Sequence, residues 1–132
     1  MHIYFVNHAD DDDAVAETTK TMEPRGFERV EDAADADLAV LLVSVPALRD
    51  GLGDVPSALQ HTGVRVLPVL WGKGMLPDRF PVHRKHMHGA RVPMDLVKLL
   101  VDERKRFGRK IIDSKKDLFG YGLYLGLVHR AP

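Results

Sequence analysis

The chain predicts an α/β domain: a mostly parallel sheet of four or five strands with helices on both faces. Three observations carry that prediction. Residues 38–45 (LAVLLVSV) form a continuous apolar run, the pattern of a central parallel strand buried on both faces. Residues 3–6 (IYFV) and 64–71 (VRVLPVLW) are two more runs rich in β-branched and aromatic residues. Helical patterns alternate with these runs, and a right-handed parallel arrangement is the natural way to pack such an alternation.

Taken in order, the first strand, residues 3–6, runs into Asn7, His8, Ala9 and four consecutive aspartates at residues 10–13. Residues 11–22 read as a helix. Asp10 or Asp11 supplies its N-cap, and the other acids favour the positive end of its dipole. Val15, Thr19 and Met22 share one face, and Pro24-Arg25-Gly26 stops it. A short second strand is expected at residues 27–30. Residues 31–37 leave room for one or two helical turns.

The third strand, residues 38–45, ends at Pro46. A weak helix or irregular crossover at 47–61 follows, interrupted by Gly51, Gly53 and Pro56. The fourth strand carries Pro68, which argues for a bulge or an edge position. Residues 72–88 form a long polar connection, and 90–92 a brief fifth strand. Pro93 opens a last helix reaching Arg106, with Leu96, Val97, Leu100 and Val101 on its buried face.

At 132 residues the chain has the length of one domain with its own core. It has no cysteine, which excludes disulfides, Cys-based zinc sites and thiol nucleophiles. The first apolar run is too short for a signal peptide, and no run approaches the ~20 residues of a membrane span. The expectation is a cytoplasmic protein. Net charge is zero but unevenly spread. Residues 1–60 hold thirteen Asp/Glu against four Lys/Arg, a balance of −9, and residues 61–132 hold six against fifteen, +9. Such a split can steer a partner or a second copy.

In open α/β sheets ligands sit at the carboxyl ends of the strands, so Asn7, His8, Asp10 and Ser44 are the candidate nucleotide-binding or partner-binding rim. The ordinary alternative is a solvated loop with a helix cap. Magnesium held for phospho-acceptance would need an aspartate at the end of the third strand, where Ser44-Val45-Pro46 stands instead. His83, His86 and His88 invite a metal, but Arg84 and Lys85 oppose a cation, and no metal site is expected. Neither a G-x-G-x-x-G turn nor a phosphate-binding P-loop is present. Ser44 has no sequence neighbour that would make it a nucleophile. Residues 103–116 carry seven Lys/Arg against two acids; the ordinary reading is a solvated helix end, with a basic face for nucleic acid or an acidic protein surface as the alternative, and nucleic acid is not the expected partner. Residues 118–128 (LFGYGLYLGLV) suit an arm packed on the domain or on a partner.

The order IYFVNHADDDDAVAETTKTMEPRGF, DAADADLAVLLVS and VRVLPVLW resembles the TIR (Toll/interleukin-1 receptor-like) domain over about residues 3–100. The resemblance implies a TIR-like, flavodoxin-like three-layer sandwich over residues 1–107, with 108–132 as an extension. It also implies a role in signalling or defence, with NAD as a possible substrate or ligand. Two departures stand out. The long loop after the second strand is missing, and the segment after Ser44 has no glutamate to meet the ribose. The equivalent position falls at Ala58, or Ser57 in a shifted register, and Asp54 is the catalytic candidate nearest to it. A carboxylate is needed there to stabilise the oxocarbenium-like charge of glycosidic cleavage.

The leading expectation is therefore an interaction module without catalysis. It associates with a copy or a partner through the acidic residues Asp11, Asp12, Asp13 and 31–37 and the basic residues Arg104, Lys105 and Arg106. The alternatives are a divergent NAD(P) nucleosidase or nucleoside deoxyribosyltransferase-like enzyme using Asp54 or Asp10, and a basic nucleic-acid-binding module.

Overall fold

The structure, a computed structural model, describes residues 1–54, 59, 62–72 and 88–107. Its elements are β1 (His2–Val6), α1 (Asp12–Met22), β2 (Glu28–Arg29), β3 (Leu38–Val43), α2 (Val45–Asp50), β4 (Arg65–Trp71), β5 (His88–Ala90) and α3 (Pro93–Phe107). Short 3-10 turns stand at Ala9–Asp11, Glu23–Arg25 and Ala33–Asp35. The sheet has the order β2-β1-β3-β4-β5, and every pair is parallel. This is the flavodoxin-like three-layer arrangement. The chain steps outward from β1 to β2, then returns past β1 to β3, so the strand order reverses between β1 and β3.

Period-two alternation sorts the sheet side chains onto two faces. Ile3, Phe5, Leu38, Val40, Leu42, Leu67, Val69 and Trp71 pack with Val15 and Met22 of α1 and Leu96, Val97 and Leu100 of α3. Val6, Ala39, Leu41, Val43 and Leu70 face the other way, toward Ala47 and Leu59. All six residues of β3 are buried, as its unbroken apolar run requires. Each large aliphatic side chain removed from water there contributes roughly 2 kcal/mol. Among the described residues no helix is long and apolar enough to cross a membrane.

The fold departs from the sequence reading in local ways, each with a cause. The buried row of α1 runs Val15, Thr18, Met22, not through Thr19. Thr18 tolerates burial because its hydroxyl donates to the Ala14 carbonyl at 2.8 Å. β2 shrinks to two exposed residues, since Phe27 turns into the core instead of extending the ladder. β3 stops at Val43 because Ser44 caps α2, so the helix begins at Val45 with Pro46 in its first turn. Pro68 is neither at an edge nor bulged. It lies opposite Leu41, and the ladder to β5 starts one residue later, at Val69. β5 is shifted toward the N-terminus, to His88–Ala90. Asp95 accepts the Arg91 and Val92 amides at 2.9 and 3.4 Å, which turns that stretch into the cap of α3. On α3, Val101 is only half-buried, and the row after Leu100 continues through the charged Glu103.

Candidate functional site at the exits of β1 and β3

Parallel strands place the segments after β1 and β3 side by side, at the point where strand order reverses. Two sets of side chains tie these exits together. In the first, the Ser44 hydroxyl donates to Asp11 Oδ2 at 2.6 Å and accepts the Ala47 amide at 3.2 Å. Ser44 is 2% exposed and Asp11 9%, so this is an interior contact. Asp11 stands at the N-cap of α1, yet its carboxylate caps nothing there. The expected capping role is corrected accordingly: the hydroxyl of Ser44 has the stronger claim on that carboxylate.

The second set is wetter. The backbone amide of Asp10 donates to His8 Nδ1 at 3.0 Å, capping the 3-10 turn Ala9–Asp11. A backbone amide can only donate, so Nδ1 carries no proton here and the ring proton sits on Nε2. Nε2 lies 2.7 Å from Asp50 Oδ2, at the end of α2. Arg49 grips Asp50 with two bonds, Nε to Oδ1 at 2.9 Å and a terminal nitrogen to Oδ2 at 2.8 Å, and reaches Asp10 at 3.2 Å. The bonds from Arg49, and then from His8, hold the Asp50 carboxyl well below its ordinary value, to about 2. Asp50 and then Asp10 push the Arg49 guanidinium up. Asn7 completes the edge, donating to Asp12 Oδ1 and to the His8 carbonyl, both at 2.8 Å.

The sequence-derived residues separate accordingly. Asn7, His8, Asp10 and Ser44 do meet at one edge. Asp12 and Asp13 are exposed beside them. Asp11 is buried against Ser44 and leaves the acidic surface to which it was assigned. Asp54 lies exposed in the turn after α2. Arg104, Lys105 and Arg106 are in the last turn of α3, which runs back to the opposite end of the strands. Residues 31–37 do not extend the 10–13 cluster as one face. Asp37 sits at the start of β3, where its carboxylate accepts the His2 amide at 2.8 Å. Ser57, Ala58, His83, His86 and the extension 108–132 lie outside the described residues; His88 is in β5. Among the described residues no group of three or more His, Cys, Asp or Glu could hold a metal ion.

The sequence reading missed Arg49 and Asp50. The available signal was an adjacent Arg-Asp pair in the helix directly after the central strand. Chemically, much of the edge is already engaged in internal bonds. The Ser44 hydroxyl both donates and accepts, the His8 lone pair is taken by an amide, and both Asp50 oxygens are bonded. A scan of the sequence against protein-family models and a search of curated proteins found no match.

Proposed function

We propose that this chain is a TIR-like protein-interaction or assembly module of signalling or defence, working without catalysis. The observation that supports it is the bridged edge. Where flavodoxin-like sheets take their ligands, the Asp11–Ser44 bond and the His8–Asp50–Arg49–Asp10 set occupy the groups that would bind or react. What remains outward-facing is charge. Asp12 and Asp13 are exposed at the carboxyl end of the strands, and Arg104 and Lys105 at the other. The Asp12–Asp13 pair at one end and the Arg104–Lys105 pair at the other, where Glu28 and Asp37 also stand, are complementary patches for contact between two copies or with a partner. Light scattering at low and high salt tests self-association. Mass should rise with concentration at low salt and return to the monomer at high salt. A salt-insensitive monomer at high concentration sinks self-association.

One observation favours a second reading, a divergent NAD(P) nucleosidase or nucleoside deoxyribosyltransferase-like enzyme. Asp50 is a carboxylate held ionised on the helix after the central strand, better placed beside His8 than the Asp54 of the sequence reading. Such a group could stabilise positive charge on a ribose. Incubation with NAD and analysis of products separates the readings. Release of nicotinamide that disappears in Asp50→Asn would replace the interaction module with the enzyme.

A further inference from the structure

We infer that His8 is a proton-controlled latch on the turn that leaves β1. What matters is which atom donates. The Asp10 amide is a fixed donor, and it meets His8 Nδ1 at 3.0 Å. That bond exists only while Nδ1 keeps its lone pair. A proton arriving at Nδ1 sets two donors against each other, and the bond to Asp10 is lost.

The surroundings give the cationic ring somewhere else to go. Asp50, from α2, faces Nε2 at 2.7 Å and stays bonded in either protonation state. Asp10 Oδ1, from the same turn as the amide, lies 3.7 Å from Nδ1 and becomes the nearest acceptor for the new N–H. Arg49, also from α2, holds the other Asp10 oxygen and both oxygens of Asp50. On the α1 side Asp12 is taken by Asn7 and Asp11 by Ser44. The neutral ring therefore caps the 3-10 turn through its backbone, and the cationic ring grips the Asp10 side chain and releases the backbone. The His8 side chain is 16% exposed, so protons reach it while the ring stays anchored. Protonation also adds one positive charge to the acidic end of the sheet. The latch does not depend on the function proposed above, because it is read in the chain alone.

The test is amide NMR of the full chain across the His8 titration, followed through the imidazole carbon shifts. The Asp10 amide proton should move upfield as His8 takes up its proton. Its protection from exchange, corrected for the intrinsic pH dependence, should fall roughly tenfold, the worth of one net hydrogen bond. His8→Asn supplies the control. Its amide oxygen can stand where Nδ1 stands and accept the same bond, but it does not titrate. In this variant the Asp10 amide should stay bonded over the whole range. An Asp10 amide that ignores the His8 titration overturns the inference. So does one that follows the same pH curve in His8→Asn, since another group would then be responsible.

Discussion

The two ends of the strands are both held by charged side chains, but in opposite media. At the amino end, Glu103 of α3 is 3% exposed and takes Arg65 of β4 at 2.9 Å and Arg106 at 3.3 Å. At the carboxyl end, Arg49, Asp50 and Asp10 are each about half exposed, with contacts just as short. Distance alone would rank the two clusters together. Solvent separates them, because water screens the exposed set and a carboxylate as buried as Glu103 depends on its partners. The amino end is thus a fixed clamp between α3 and the sheet, whereas the carboxyl end can rearrange.

Substitutions probe this contrast. The largest effect is expected from Arg65→Ala, about 3 kcal/mol of lost stability by denaturant titration, because Glu103 keeps its buried site and loses this cation. A loss no greater than that of an exposed pair would place both clusters in the same class. Ser44→Ala tests the dry contact at the carboxyl end. It removes the N-cap of α2 and a bond to a buried carboxylate, and should cost about 2 kcal/mol.

Gly26→Ala probes the amino end again. Gly26 has φ +89°, and an added Cβ would stand 3.3 Å from a terminal nitrogen of Arg104. Arg104 donates to the Arg25 carbonyl at 2.7 Å and lies over the Phe27 ring at 4.4 Å, so it is not free to retreat. The left-handed backbone alone costs about 1 kcal/mol, read as a lowered thermal midpoint. An unchanged midpoint would mean that the turn relaxes.

The smallest effect belongs to Asp50→Asn. The folded-state value of Asp50 lies below its ordinary one, so its stabilisation is complete above about pH 4 and lost as pH falls toward 2. Thermal midpoints of the native chain and the variant should therefore converge across that window and differ slightly above it, less so in high salt. A difference that survives high salt would mean that the exposed cluster behaves like a buried one.

The legibility of the fold follows the same division between apolar and polar. β3, β4 and the buried row of α3 up to Leu100 could be read from hydrophobic period alone, because burial of those side chains is what places the elements. The site was half legible. Asn7, His8, Asp10 and Ser44 follow from where parallel strands end, but their partners do not. Nothing local says that Asp11 turns to Ser44 thirty-three residues away, or that His8 meets Asp50 across forty-two. These bonds are set by the alignment of two loops, which exists only once the sheet forms. Glu103 was missed for a related reason: a charged residue in a buried row reads as solvated until its partner from β4 is in place.

Association through opposite ends is best probed by exchanging charges between copies. Light scattering at low salt should find Asp12→Lys/Asp13→Lys monomeric, and likewise Arg104→Glu/Lys105→Glu. An equimolar mixture of the two variants should associate, because each then offers the end that the other lacks. Variants that associate like the native chain, or a mixture that stays monomeric although the native chain associates, would contradict this mode of association.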